Sequence, residues 1–455
     1  MMKVLLIRPN PPKETIGLQH VMVCEPLELE YLVSNVPENI RNKVDLRIYD
    51  LILEKKSYNK ILVEENPDFV VFTGYITHIG VIKELAKIAK EMIPTVKTGV
   101  GGVHAEVVPE DFNSPFIDFI YNKNPVEAFN ETLIGLLGDI TIENIKNNIS
   151  LLESNDKSFN LNHPDRKSVE RYRKDYYYMF HNPCALIKTS YGCPYNCSFC
   201  FCKEITGGKY YTRDINDVLL ELEKISEEEI YIVDDDFLYD TNRIIEFING
   251  LKSRNINKKF LIYGRADFIA SNEELIRRFK EVGLQAVIVG IESVREKDLK
   301  EYHKGTTKEI NEKCIDILKN LDVELYATLI LPLDFTKGDF KELRRWLRNL
   351  DVRFVNLQPL TPLPGTDIFK KYAPHLLVKR DGYPKWDMAH VVLRPEDMSI
   401  RAYYYEILLS YYRVIMRPRH LKALIKKYGI KECIKLLRGS SYVSWQYVKK
   451  IVNSE

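Results

Sequence analysis

The sequence predicts an α/β protein with two parallel sheets in succession, each with helices between its strands, followed by a helical tail. Three observations lead there. Short, continuously apolar runs alternate with helix-like stretches up to residue 138. A second series of six strand–helix units starts at residue 184. From Ser399 onward only helical patterning remains. Strands that are apolar throughout, rather than at every second residue, are buried on both faces, as in parallel sheets covered by helices.

In the first series the strands fall at 3–7, 44–49, 68–72, 95–98 and 116–121, with helices at 26–34, 59–65, 79–92 and 126–137. Five such units predict a doubly wound, flavodoxin-like domain, whose ligand binds beyond the carboxyl ends of the strands. Residues 139–183 are polar and lack periodicity, so they read as a linker. In the second series the strands fall at 185–189, 229–234, 260–265, 286–291, 324–331 and 353–358. Helices at 214–225, 241–253, 272–282, 307–321 and 338–349 separate them. Six units are too few for a closed eight-unit barrel and fit a partial (β/α)6 barrel. The expected domains are 1–138, a linker at 139–183, the barrel at 184–394 and a helical C-terminal region at 395–455.

The chain has 455 residues, is 45% hydrophobic and carries a net charge of only +2, which gives no reason to expect a nucleic-acid partner. No apolar run approaches the ~20 residues that span a bilayer, and the first residues read as a strand rather than a signal peptide. The expectation is a soluble, cytoplasmic protein without a transmembrane segment. The last 57 residues differ from the rest. They hold twelve Lys or Arg against three Asp or Glu, a net +9, with Tyr403, Tyr404, Tyr405, Tyr411, Tyr412 and Trp445 among them. This segment reads as an ordinary helical cap with a solvated basic face; its functional reading is a region that closes the barrel and helps to select the substrate, and basic amphipathic helices can also face acidic partners or membranes.

Four of the eight cysteines crowd between positions 193 and 202, which favours metal binding over disulfides in a chain without an export signal. The motif is Cys193-x3-Cys197-x2-Cys200, directly after a strand and with Phe199 before its last cysteine. Three thiolates on one loop can hold three irons of a cubane and leave the fourth open to a chelating amino and carboxylate group. The alternative is structural zinc, which takes a closed set of four ligands. Cys202, the available fourth thiol, is only two residues from Cys200, an awkward spacing for a tetrahedron.

This motif after the first barrel strand resembles the radical S-adenosylmethionine (SAM) superfamily. Asp234, Asp235 and Asp236 end the second strand, Tyr263-Gly264-Arg265 the third, and Gly290-Ile291-Glu292-Ser293 the fourth. The resemblance covers about 184–370. It implies a [4Fe–4S] cluster on Cys193, Cys197 and Cys200, with SAM near Asp234, Asp235, Asp236, Arg265, Glu292 and Ser293. Carboxylates at strand ends can accept hydrogen bonds from an ammonium group or ribose hydroxyls. One of the three aspartates also suits a helix N-cap.

The first domain carries Thr73-Gly74-Tyr75 after its third strand and Gly101-Gly102-Val103-His104 after its fourth. This pattern resembles the cobalamin-binding domains found before some radical SAM barrels, and it implies cobalamin near Thr73, Gly74, Tyr75, Gly101, Gly102 and His104. Glycine permits close approach of a ligand to the backbone. An Asp-x-His-x-x-Gly motif for a lower cobalt ligand is absent from residues 1–50.

The resemblance as a whole implies a cobalamin-dependent radical SAM enzyme. The leading expectation is C-methylation at an unactivated carbon through a 5′-deoxyadenosyl radical and methylcobalamin. One alternative is a cyclase or a lipid- or ring-modifying enzyme that transfers no methyl. Another is an iron–sulfur and corrinoid sensor or carrier without turnover. The expected partners are a small-molecule, lipid or peptide substrate and an electron donor such as flavodoxin or ferredoxin.

Overall fold

The computed structural model describes residues 1–17, 20–150, 152 and 161–453. The chain forms two compact units. The first comprises Met1–Thr15, Glu25–Asp175 and Glu204–Gly207, and the second Ile16–Cys24, Tyr176–Lys203 and Gly208–Glu455. No helix among the described residues is long and apolar enough to cross a membrane.

The first unit is a five-stranded parallel sheet of β1 (Met2–Arg8), β2 (Val44–Asp50), β3 (Phe69–Thr73), β4 (Lys97–Gly101) and β5 (Phe119–Ile120). Its order is β2-β1-β3-β4-β5, the flavodoxin-like doubly wound arrangement. Val4, Leu5, Leu6 and Ile7 are all at most 1% exposed, because helices cover both faces of the central strand. The strand order reverses between β1 and β3, so the crevice where such folds take ligands opens beside the ends of these strands. Helix Ile142–Ser150 lies in the segment expected as a linker and packs Ile145 against Gly135, where a Cβ would come within 2.5 Å of Ile145. Residues 151 and 153–160 of that segment, and 454–455 of the tail, lie outside the described residues.

The second unit holds a six-stranded parallel sheet of β6 (Cys184–Ile187), β7 (Glu229–Ile232), β8 (Lys259–Gly264), β9 (Leu284–Glu292), β10 (Glu324–Leu331) and β11 (Phe354–Pro359). Every strand pairs with its neighbours in the chain, and β6 and β11 remain edges, so the barrel is open. Alternate residues divide the two faces. Ile230, Ile232, Val287 and Val289 join the core under the helices. Tyr231 and Tyr263 lie on the other face, with ring centroids 5.9 Å apart. Helices begin where side chains cap their free N–H groups: Asp214, Asp240, Thr307 and Thr336 each accept from the first turn that follows.

Short elements escape the sequence pattern. Helices Val103–Val107, Ala266–Ser271 and Glu296–Glu301 each span under two turns, too little for a helical period to show. Gly283, before β9, has φ +119°, and a Cβ there would lie 1.9 Å from the Lys258 carbonyl oxygen. Gly283→Ala should destabilise the second unit by about 3 kcal/mol or more, through strain and backbone collision together. Trp346, Trp386 and Trp445 all belong to that unit, so the urea midpoint of tryptophan fluorescence should fall.

Candidate active site

The cysteine loop leaves the carboxyl end of β6 and is fastened at several points. The Asp234 carboxylate, 1% exposed, accepts the Thr189 N–H at 2.6 Å, the Thr189 hydroxyl at 2.5 Å and the Ser190 hydroxyl at 2.6 Å. Asp235 accepts the Gly192 N–H at 2.8 Å and lies 3.4 Å from Lys188 Nζ. Further along, Ser198 N–H donates to the Tyr302 carbonyl at 3.0 Å, and Ile368 N–H donates to the Ser198 carbonyl at 2.9 Å. Phe199 sets its ring edge-on to Tyr302.

Asp236 behaves differently from its two neighbours. It is 2% exposed, and its Oδ1 has no hydrogen-bond partner among the described residues. Burial pushes its carboxyl up to about 7, against the pull of Arg265 and Lys304. A buried, unsatisfied carboxylate oxygen is costly unless a ligand donor reaches it. Its chemistry therefore fits the ammonium group of SAM.

Arg265 sits at the end of β8 but spends its guanidinium within the protein. It donates to Asp267 at 2.9 and 3.1 Å and to the Lys304 carbonyl at 2.7 Å. Its flat face stacks 3.5 Å from the Tyr195 ring centroid, inside the cysteine loop. Sequence reasoning missed both partners. Asp267, two residues on, was open to view as a possible ion pair, whereas Tyr195 was not.

Glu292 ends β9 with φ +60°, beside a register shift against β10. Such bulges re-aim side chains at strand ends. Lys304, 8% exposed, donates to Glu292 at 3.0 Å. A Cβ on Gly290 would lie 2.1 Å from the Glu292 carboxylate, so a larger residue there would push this pair from its present position. Ser293 donates to Asp298 at 2.6 Å, a partner the sequence reading did not contain.

Burial pushes the Cys197 thiol up, and the Lys304 and Arg265 cations pull it back. Cys202 hydrogen-bonds to Cys200, and through that bond the Cys200 thiol is lowered. Among the described residues no three His, Cys, Asp or Glu side chains converge on the place of a single metal ion. A cubane spreads its thiolates over different irons, so three cysteines on one cation-flanked loop fit it without such convergence.

In the first unit, Thr73 Oγ1 donates to Glu28 at 3.0 Å. Gly102 has φ +111°, and a Cβ there would lie 2.8 Å from the Gly74 carbonyl oxygen, so β3 and β4 end in close apposition. A Cβ at Gly101 would meet only Tyr121, at an ordinary 3.7 Å. Tyr75 is 63% exposed at this edge. His104 turns inward: it is 6% exposed and its Nε2 lies 2.7 Å from Asp111. Gly74, Gly101 and Gly102 are half-buried, so backbone at the ends of β3 and β4 is within reach of a bulky cofactor.

The pattern of the Radical SAM superfamily matches residues 187–347, and that of the B12 binding domain matches residues 21–130. The chain belongs to the B12-binding radical SAM enzymes. Its cofactors are a [4Fe–4S] cluster, SAM and cobalamin. It is similar to the hopanoid C-3 methylase of Methylococcus capsulatus, with 26% identity over 92% of this chain and 81% of that protein. It is also similar to the anaerobic magnesium-protoporphyrin IX monomethyl ester cyclase of Cereibacter sphaeroides, with 23% identity over 88% and 68%. Among solved structures, the radical SAM methyltransferase TsrM from Kitasatospora setae, with cobalamin and a [4Fe–4S] cluster bound, shares the fold. The TM-score is 0.69 at 14% identity, over 99% of this chain and all of that one.

Asp234 and Asp236 should part company on mutation. Asp234→Ala removes three hydrogen bonds to a charged acceptor, each worth about 1.5–3 kcal/mol, and should release the cysteine loop. Reconstituted Asp234→Ala protein should retain well under half of the wild-type iron. Asp236→Asn removes no bond of Oδ1 and should retain all of it.

Proposed function

We propose that this enzyme methylates an unactivated carbon, with SAM and a methylated corrinoid as its two reagents. The observation that carries this reading is the similarity to a C-methylase along 92% of the chain, both units included. When bound, the reduced cluster supplies the electron that splits SAM, and the corrinoid supplies a transferable methyl group. The chain's own residues have separate tasks in this reading. Cys193, Cys197 and Cys200 hold three irons. Asp236 accepts the ammonium of SAM, and Glu292, held by Lys304, lies where a SAM hydroxyl or amino group can reach it. Asp234 and Arg265 act indirectly, by fixing the backbone and Tyr195 of the cysteine loop. Thr73, Gly74, Tyr75, Gly101 and Gly102 border the corrinoid, with His104 bracing the following loop through Asp111. The substrate is a small molecule, lipid or peptide, and an electron donor such as flavodoxin or ferredoxin reduces the cluster.

A second reading, ring formation without methyl transfer, draws on the similarity to the cyclase. SAM labelled on its methyl group separates the two. Reduced, reconstituted enzyme incubated with an extract of cells lacking the gene should pass the label to a product and form S-adenosylhomocysteine beside 5′-deoxyadenosine. A new product without label would overturn methylation in favour of ring formation.

The cofactor sites have their own tests. Cys193→Ala, Cys197→Ala and Cys200→Ala should each lose the brown chromophore and 5′-deoxyadenosine formation, since each removes an iron ligand. Cys202→Ala should keep both; equal loss of iron would require a different ligand set. Gly101→Leu should fold, since its Cβ meets Tyr121 at an ordinary 3.7 Å, yet fail to retain cobalamin after desalting, because the longer side chain crowds the end of β4 where the corrinoid is proposed to lie. Gly102→Leu should instead lower the folding stability itself.

A further inference from the structure

The last helix has two apolar faces, and the protein covers only one. Gly429, with φ 82°, breaks the helical run Pro418–Asn453, and the chain continues as helix to Asn453. Tyr447 is 2% exposed, with its ring centroid 6.1 Å from those of Tyr404 and Tyr411. Val443 and Ile451 pack against the same core. A Cβ at Gly439 would meet the His20 carbonyl oxygen at 1.9 Å. These residues recur every four positions and mark the packed face.

The opposite face carries Ile430, Ile434, Leu437, Trp445 and Val452, which are 61%, 44%, 38%, 55% and 68% exposed. At 3.6 residues per turn they fall within roughly 80° of the helix circumference and form a stripe about 33 Å long. Exposed Lys431, Arg438 and Lys449 flank one side of the stripe. Lys449 Nζ stands 5.6 Å from the Trp445 ring centroid, so the aromatic lies at the boundary between the apolar and charged strips. Charge is segregated along the chain as well: residues 399–455 carry +9, and residues 1–398 carry −7.

We propose that this face docks the enzyme on the surface of an anionic lipid bilayer. The apolar stripe enters the boundary between headgroups and acyl chains, Trp445 sits at the level of the headgroups, and the flanking cations meet lipid phosphates. Charge complementarity selects this occupant. A neutral protein groove would take the stripe but leave Lys431, Arg438 and Lys449 beside it without anions to meet, whereas Arg417, Arg419 and Lys427 of the same end already pair with Asp351 and Glu324. The helix lies in the surface and does not cross it. The inference stands independently of the methylation reading.

The test uses the full-length protein and vesicles of phosphatidylcholine alone or mixed with phosphatidylglycerol. The protein should float with the anionic vesicles, stay behind with the neutral ones and be released by high salt. Trp346 and Trp386 are buried, so a blue shift of the fluorescence on adding anionic vesicles reports Trp445 entering the bilayer. Leu437→Glu and Trp445→Ser change exposed side chains; each should keep the circular dichroism spectrum and weaken vesicle binding about tenfold or more. Absence of flotation with anionic vesicles, or flotation that both variants leave unchanged, would overturn the proposal. Self-association that Leu437→Glu abolishes, without any vesicle binding, would assign the face to a second copy of this chain instead.

Discussion

The cysteine loop depends on one buried carboxylate. Asp234 stands at the end of β7 and holds the backbone and hydroxyl of Thr189 and the hydroxyl of Ser190, just past the end of β6. The three bonds fix how the chain leaves its strand, and that exit direction sets where Cys193 begins the loop. Asp235 repeats the device one step later at Gly192. Tyr302 and Ile368 fasten the far side of the loop. The loop is thus suspended from elements spread over the second unit, and within the eight-residue motif the Cys200 N–H donates to the Cys197 carbonyl at 3.1 Å.

This arrangement explains what could be read from the sequence and what could not. The parallel sheets were legible because continuous apolar runs such as Val4–Leu5–Leu6–Ile7 have few other uses in a folded chain. The metal chemistry was legible because thiols at that spacing serve little else. The division of labour among Asp234, Asp235 and Asp236 was hidden. Adjacent identical residues look equivalent until the pleat and the neighbouring strand separate them into two fasteners and one unsatisfied oxygen. Arg265 shows the same limit. It pairs bidentately with Asp267, two residues on, and its stacking on Tyr195 joins residues 70 positions apart, which no local pattern shows.

The first unit uses backbone geometry in place of charge. Gly101 and Gly102 look like one motif in the sequence, yet they answer to different constraints. Gly102 is required by the protein, through its positive φ and the nearby Gly74 carbonyl. A Cβ at Gly101 would meet only Tyr121, at an ordinary 3.7 Å, so the polypeptide itself does not require glycine there. His104 is held by Asp111.

The strictly sequential pairing of β6 to β11 has a consequence for synthesis. Each strand adds to the edge left by the one before, so the sheet can assemble in the order in which the ribosome releases it. The cysteines are released early, about 40 residues before Asp234 and about 100 before Tyr302. A nascent chain therefore presents its thiols on an unfastened loop, and closes that loop only as later strands arrive. In the finished fold the loop is fastened but Cys193, Cys197 and Cys200 stay half-buried, so what the later strands remove is the loop's freedom rather than access to its thiols.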